Sequence, residues 1–254
     1  MLDGSGFQNM CGSPELAENA VHIWQIHLVA KEDRINWYRK LLSVDEIQRS
    51  DHFYRERDKA RFVVARSAMR MILAEYLHVP PQELAFSYTA KGKPEFVSDF
   101  NESGIKFNLS HSRDFAFLAV TQGLCVGVDI EFINHEFAAD DVAARFFSPN
   151  EISALRALSP GERAGAFFEC WTRKEAYIKA TGEGLSLPLD SFDVAFGPGV
   201  PPALLRVEVF PQELSRWSMY NLSVPQGYAA ALVVEGKQHQ LRQARWYGDS
   251  TMST

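Results

Sequence analysis

The chain has 254 residues, of which 46% are hydrophobic, so it can form one large domain or two small ones around a buried core. Its formal net charge of −6 argues against broad, sequence-independent binding to nucleic acid. The three cysteines, Cys11, Cys125 and Cys170, lack C-x-x-C spacing, which predicts free thiols in a reducing compartment. No apolar run approaches the length of a membrane span, and no secretory signal pattern precedes the first strand. We therefore expect a cytoplasmic protein that contacts neither membrane nor nucleic acid.

Apolar and alternating runs predict strands, and longer periodic stretches predict helices, in an order that occurs twice. Strand patterns occupy residues 21–29, 115–122, 126–132, 204–210 and 228–234, and long helical patterns occupy residues 57–77 and 162–182. An aromatic residue, Asn-Leu-Ser, a loop and an apolar run occur at residues 107–120 and again at 220–233. Upstream, the S-x-x-E pattern of a helix capping box occurs in both halves, as Ser43 with Glu46 and as Ser148 with Glu151.

This repetition predicts an α+β fold of two similar α/β halves related by pseudo-twofold symmetry. We assign residues 19–124 to an N-terminal half and residues 125–247 to a C-terminal half. Residues 1–18 are predicted to be a flexible leader, and residues 248–254 a flexible tail. Because pockets often form between packed units, a ligand site is expected where the two halves meet.

Two carboxylates, Asp129 and Glu131, lie two residues apart on a predicted strand, so both project from the same face. Their repulsion would be relieved by a divalent cation, and hard oxygen ligands without His or Cys favour Mg²⁺ over Zn²⁺. Alternatively, one of the two carboxylates points into solvent where the strand ends.

A helical stripe carries Trp171, Glu175 and Lys179 at positions i, i+4 and i+8. Glu175 could complete a metal site with three carboxylates, and Lys179 could meet a phosphate oxygen. The alternative is a solvated Glu–Lys surface pair, although Trp171 on the same stripe argues against a fully solvated face.

Two further segments offer groups for binding a phosphate. Ser110, His111 and Ser112 supply donors at a strand start, and Lys93-Pro94 belongs to a small basic turn. A turn histidine without a ligand and a solvated loop are the alternatives for these segments. No zinc-protease, serine-hydrolase or P-loop motif occurs in the sequence.

Together these segments resemble the phosphopantetheinyl transferases, in particular the larger Sfp-type group. The resemblance runs from about residue 43 to residue 194. It rests on Gly92-Lys93-Pro94, on residues 107–112 and 127–131, on Arg145-Phe146-Phe147-Ser148 with Glu151, and on residues 171–189. The V-D-I-E element followed by W-x-x-K-E-x-x-x-K is the most specific part of the match.

The resemblance implies transfer of the phosphopantetheine arm of coenzyme A to a serine of an apo acyl or peptidyl carrier protein, with release of 3′,5′-ADP. It implies that Asp129, Glu131 and Glu175 hold Mg²⁺ and that Lys179 neutralises charge on the pyrophosphate. Glu175 or Glu151 is the expected general base, although Glu151 has an equally good explanation as a capping residue. The coenzyme A-binding residues expected by analogy are Arg49, Arg61, Lys93, Pro94, Ser110, His111, Asp129 and Lys179. A monomer is expected, because the duplication supplies the second half within one chain.

Two other functions remain open at this point. The same carboxylates could serve a Mg²⁺-dependent phosphohydrolase or nucleotidyl transferase, which would turn over nucleotide without a carrier protein. A protein that binds coenzyme A without catalysis is the other, and would be expected if Asp129, Glu175 or Lys179 were missing.

Overall fold

The computed structural model describes residues 15–89, 92–97, 103–136 and 139–248, so most of the expected leader and tail lies outside it. The helices are α1 (Glu32–Arg39), α2 (Val44–Asp51), α3 (Glu56–Leu77), α4 (Ala139–Phe146), α5 (Pro149–Ala157), α6 (Pro160–Thr181) and α7 (Glu213–Arg216). The strands are β1 (Ala20–His27), β2 (Phe86–Tyr88), β3 (Pro94–Phe96), β4 (Ile105–Ser112), β5 (Phe115–Gln122), β6 (Val126–Phe132), β7 (Phe192–Val194), β8 (Leu204–Val207), β9 (Trp217–Asn221), β10 (Tyr228–Glu235) and β11 (Gln240–Trp246). None of the helices within these ranges combines the length and the apolar composition needed to span a bilayer.

The strand order confirms the predicted α+β fold of two similar halves. In the first sheet β5 lies between β1 and β4, and in the second β10 lies between β6 and β9, with antiparallel pairing throughout. A long helix and a small hairpin come between the first and the penultimate strand of each half: α3 with β2–β3, and α6 with β7–β8. β11 departs from this symmetry, because it pairs parallel with β1 and so extends the first sheet.

Local sequence signals account for the helix starts and ends. Both predicted capping boxes are present: the side chain of Glu46 accepts from the Ser43 N–H, and that of Glu151 from the Ser148 N–H. α6 has Pro160 as its first residue and ends before Gly182, whose φ of 77° is the left-handed conformation that glycine adopts without strain.

Three apolar clusters stabilise the fold, and one of them is shared by both halves. The shared cluster joins Ile23 and Phe117 of the first sheet to Val128, Ile130 and Leu232 of the second, all fully or nearly fully buried. Each sheet therefore buries one face against the other half, which fixes the relative position of β4 and β6.

Candidate active site

β4 and β6 lie side by side where the two halves meet, and side chains of β4 bridge to β6. The side chain of Asn108 accepts a hydrogen bond from a backbone N–H of β6 at 2.8 Å. The Ser110 hydroxyl donates to Asp129 at 2.7 Å, and the Ser112 hydroxyl donates to Glu131 at 2.8 Å. Because alternate residues of a strand share a face, these contacts orient both carboxylates towards the same side.

α6 crosses β6 unusually closely, and Gly127 permits the approach. A Cβ atom at Gly127 would lie 2.1 Å from the carbonyl oxygen of Ala176 and 2.4 Å from the backbone nitrogen of Ala180. No side chain fits at such distances, so only glycine allows this contact. The crossing brings the stripe with Glu175 and Lys179 over the carboxylates of β6.

Lys179 is the cation of this site. Its ammonium donates to Asp129 at 2.5 Å and to the Ser110 hydroxyl at 3.0 Å. Asp129 is buried, whereas Lys179 keeps about a quarter of its side chain exposed (27%) and can reach a ligand. The structure therefore brings together Asp129, Lys179 and Ser110, three of the expected coenzyme A-binding residues.

The other two carboxylates, Glu131 and Glu175, lie in the same electrostatic environment, and neither forms an ion pair among the described residues. Burial and the neighbouring Asp129 raise the pKa of Glu131 to about 7. The same two causes raise the pKa of Glu175, which Lys179 only partly offsets. Among the described residues, Lys179 is thus the lysine shared by Asp129, Glu131 and Glu175, and its single positive charge does not balance the three carboxylates.

The donor set fits a hard divalent cation in chemistry. Within the described residues, no three His, Cys, Asp or Glu side chains converge closely enough to hold a metal ion. Asp129 faces Lys179 and Glu131 faces Ser112, which accounts for the incomplete convergence. However, the Oδ2 atom of Asp129 is buried and has no hydrogen-bond partner in the described part of the chain. A cation coordinated there would satisfy this oxygen and relieve the repulsion.

His111 adjoins a group of cations from α2 and α3. Loss of hydration and the charge of Lys179 lower the pKa of His111, and Arg61 and Arg49 act in the same direction. Arg61 forms ion pairs with Asp58, at 3.3 Å, and with Asp114. The guanidinium of Arg49 lies over the ring of Phe62, 5.8 Å from its centroid. The expected coenzyme A-binding residues Arg49, Arg61 and His111 therefore lie in one electrostatic environment.

Lys93 and Pro94 line a cavity of about 350 Å³ beside the end of α6. Lys93 is half-buried, and its ammonium has partners within the chain. It donates to the backbone carbonyls of Lys179, at 2.8 Å, and of Val126, at 3.3 Å. The sequence-based expectation that Lys93 binds a phosphate of coenzyme A stays a prediction, and these contacts provide no support for it.

Glu151 does not join the group around Asp129. Its carboxylate is buried and accepts from the backbone N–H groups of Ser148 and Val194, and it forms an ion pair with Lys174 at 2.8 Å. With both oxygens engaged and no solvent access, Glu151 has the contacts of a capping residue. Of the two expected general bases, only Glu175 lies beside Lys179 and Asp129.

Family models and individual relatives point to the same protein family. Residues 125–233 match the model of the 4'-phosphopantetheinyl transferase superfamily, and residues 30–123 match that of a 4'-phosphopantetheinyl transferase N-terminal domain. The 4'-phosphopantetheinyl transferase HetI of Nostoc sp. is 36% identical over 221 residues, which cover 87% of this chain and 90% of HetI. The chain belongs to the 4'-phosphopantetheinyl transferase family.

Other relatives of this transferase match over shorter segments. The 4'-phosphopantetheinyl transferase Sfp of Bacillus subtilis is 31% identical over 157 residues, which cover 62% of this chain and 67% of Sfp. A solved structure, the holo-[acyl-carrier-protein] synthase of Thermotoga maritima, aligns with a TM-score of 0.35 and 22% identity, over 44% of this chain and 63% of that one.

Two features of this transferase were not predicted from its sequence. Ser112 was grouped with the phosphate donors, but its hydroxyl donates to Glu131 instead. Gly127 was part of the quoted motif without a role of its own, and it proves to set the distance between α6 and β6. A glycine inside a predicted strand is the signal that could have identified this close approach.

Proposed function

We propose that this family member transfers the 4′-phosphopantetheine arm of coenzyme A to a serine hydroxyl of an apo carrier protein, releasing 3′,5′-ADP in a Mg²⁺-dependent reaction. One observation carries the proposal: Lys179 lies against Asp129, and Glu131 and Glu175 lie close enough to Asp129 that its charge raises the pKa of both. A cation beside under-compensated carboxylates suits a metal-dependent phosphoryl transfer, which depends on positioning and charge stabilisation.

Asp129, Glu131 and Glu175 are the residues that would hold Mg²⁺, which supplies positive charge to the pyrophosphate as it gains charge in the transition state. Lys179, which lies beside Asp129, would supply a second positive charge. His111, Arg61 and Arg49 bind the adenosine end of coenzyme A, and Ser110 keeps Asp129 oriented.

In the transfer step the serine oxygen forms a bond to the β-phosphorus, and the bond between that phosphorus and the oxygen of 3′,5′-ADP breaks. The serine proton must move to a base. We assign this role to Glu175, because it is the expected general base that lies beside Lys179 and Asp129. Glu151 is too deeply buried and too fully bonded to accept this proton.

The carrier substrate is proposed to be an acyl or peptidyl carrier protein, and the enzyme to act as a cytoplasmic monomer. One chain supplies both β4 and β6, so the site is complete without a second copy.

Intact-protein mass spectrometry tests this function directly. Apo acyl carrier and apo peptidyl carrier proteins are incubated with the enzyme, coenzyme A and Mg²⁺. We expect a mass gain of one phosphopantetheine group on the carrier, lost when EDTA removes the metal. Glu175→Gln should abolish the gain, whereas Glu162→Gln, a change in the exposed first turn of α6, should retain it.

Either of two results would contradict the proposal. Coenzyme A binding without modification of either carrier would favour a non-catalytic binding protein. Nucleotide hydrolysis that proceeds equally well without a carrier would favour a phosphohydrolase.

A further inference from the structure

We propose that Lys93 is a positioning residue that holds the last turn of α6 against β6 and thereby fixes Lys179, instead of binding the 3′-phosphate of coenzyme A. The expected loss of catalytic rate rests on the proposed function. The structural part of the proposal concerns contacts within this chain.

The ammonium of Lys93 joins the two elements that carry the site. It donates to the carbonyl oxygen of Lys179 in α6 at 2.8 Å and to that of Val126 in β6 at 3.3 Å. Val126 directly precedes Gly127, where the two backbones make their closest approach. Lys93 therefore bridges the two elements at the point where α6 crosses β6.

The carbonyl of Lys179 needs such a partner. It is among the last four carbonyls of α6, which have no N–H partner within the helix. A positive charge at a helix C-terminus is also favourable, because the helix dipole is negative there. Lys179 is thus held at both ends, its carbonyl by Lys93 and its ammonium by Asp129.

Lys93 is itself held in place by the β2–β3 hairpin. The Lys93 N–H donates to the Thr89 hydroxyl at 3.1 Å, and the Thr89 N–H donates to the Lys93 carbonyl at 2.9 Å. Next to Thr89, the hydroxyl of Tyr88 accepts from Arg66 of α3 at 2.8 Å, which anchors the hairpin to the N-terminal half. Lys93 in the N-terminal half therefore constrains the position of Lys179 in the C-terminal half.

The same contacts argue against a phosphate ligand. Burial lowers the pKa of Lys93, and its ammonium already has two carbonyl partners. Turning towards a phosphate would leave the Lys179 carbonyl without its partner.

Steady-state kinetics of Lys93→Met with coenzyme A and with 3′-dephospho-coenzyme A distinguishes the two roles. We expect kcat to fall about 10- to 100-fold, by the same factor for both substrates, because a misplaced Lys179 harms the transfer step itself. Lys106→Met is the matched control. Lys106 lines the same cavity but is exposed and contacts the Cys125 thiol at 3.3 Å, so its kinetics should stay near wild type. A rise in KM confined to coenzyme A, with kcat unchanged, would overturn the proposal.

Combining Lys93→Met with Lys179→Met gives a second test. If Lys93 acts through Lys179, its loss should lower the residual rate of the Lys179 variant no further. Independent, multiplicative losses would show that Lys93 acts elsewhere. Should Lys93→Met fail to fold, Lys93→Arg replaces it, because arginine keeps the charge that a phosphate requires but not the compact ammonium between two carbonyls. A fall in kcat supports positioning, and wild-type kinetics contradict it.

Amide hydrogen exchange separates this inference from the proposed function, because it requires no activity. The amides at the end of α6 should exchange faster in Lys93→Met than in Lys106→Met. Unchanged exchange there would refute the structural contact even if the wild-type enzyme transfers phosphopantetheine. Faster exchange in a chain without transfer activity would support the contact and reject only the proposed function.

Discussion

Asp129 has a buried carboxylate that Lys179 and a divalent cation would both stabilise. Lys179 donates to one of its oxygens at 2.5 Å, and its other oxygen has no partner among the described residues. In the metal-free protein the lysine therefore carries most of the compensation for the three carboxylates. A metal ion bound by the same carboxylates would reduce the need for this contact and leave Lys179 available to the pyrophosphate.

Lys179→Met should consequently have opposite effects on stability and on metal binding. We expect the metal-free variant to lose about 1–3 kcal/mol of unfolding free energy, because a buried carboxylate loses a hydrogen-bond donor that is itself partly exposed. Its affinity for Mg²⁺ or Mn²⁺ in the absence of coenzyme A should increase, because repulsion by the ammonium is removed. Urea unfolding with and without metal, and calorimetric titration of the metal, measure the two effects.

Lys59→Met is a suitable control for this prediction. Lys59 also forms an ion pair, with Asp51 at 2.8 Å, but Asp51 is about half exposed (46%). Exposed pairs contribute little to stability, so this variant should resemble wild type in both experiments. If metal affinity fell in Lys179→Met, the idea that lysine and metal compensate the same charge would be wrong.

The crossing of α6 over β6 is the contact between elements on which the site depends. Asp129 and Glu131 project from β6, Glu175 and Lys179 project from α6, and their separation follows from how closely the two backbones pack. Gly127 allows this packing from within β6.

Gly127→Ala should separate the two elements and impair the enzyme. The added Cβ would meet backbone atoms of α6 at 2.1 and 2.4 Å, and backbone cannot rotate away as a side chain can. We expect a loss of about 1–3 kcal/mol from overpacking. The displacement of Lys179 should lower kcat by about 100-fold. Urea unfolding and the carrier assay measure these effects.

Gly165→Ala is the control for Gly127→Ala, because it adds the same methyl group away from the contact between α6 and β6. Gly165 lies in α6 itself, and a Cβ there would meet no atom within 4 Å. Alanine is the better helix former, so this variant should be as active as wild type and slightly more stable, by up to about 1 kcal/mol. Full activity of Gly127→Ala would mean that the closeness of α6 to β6 is not essential.

The elements with strong periodicity were predictable from sequence, and the short or polar ones were not. Both long helices and both capping boxes follow from local patterns, and so do β1, β5, β6 and β10. β2 and β3 contain three residues each, too few for a period to be recognised. β11 alternates weakly, and its parallel pairing with β1 joins the end of the described chain to its beginning, which no local signal encodes.

In the candidate site, too, features that follow a local period were predictable and contacts between distant residues were not. The shared orientation of Asp129 and Glu131 follows from the two-residue period of a strand, and the Glu175–Lys179 stripe from the helical period. The role of Lys93 could not be predicted in this way, because its carbonyl partners come from α6 and β6, far along the chain. The ion pair of Glu151 with Lys174 could not be predicted either, because Lys174 lies on a different helix.

At the scale of the whole molecule, the two halves share buried ion pairs at their capping glutamates but differ in the partners of the Asn-Leu-Ser motif. The capping glutamate of each half is buried against cations of its long helix: Glu46 with Arg66 and Arg70, and Glu151 with Lys174. These repeated ion pairs indicate a structural role that both halves share.

The second copy of the Asn-Leu-Ser motif has different partners. In the first copy Ser110 bonds to Asp129 of β6, whereas in the second the backbone of Ser223 exchanges hydrogen bonds with the side chain of Gln243 in β11. The first copy of the motif therefore contacts a carboxylate of β6, whereas the second contacts β11, the strand that departs from the symmetry.

The apolar cluster shared by both halves predicts that they unfold together. Phe117 of β5 is fully buried in that cluster, against residues of β6 and β10. Phe117→Ala should therefore cost about 3–5 kcal/mol and weaken the C-terminal half as much as the N-terminal half. Hydrogen exchange in increasing urea should show both sheets losing protection at the same, lowered concentration. Leu205→Ala, an apolar deletion at an exposed position (58%), should change stability by less than about 0.5 kcal/mol. If β6 and β10 kept their protection after β1 and β5 had lost theirs, the two halves would be independent folding units. The site would then lie at an interface between two separately folded domains.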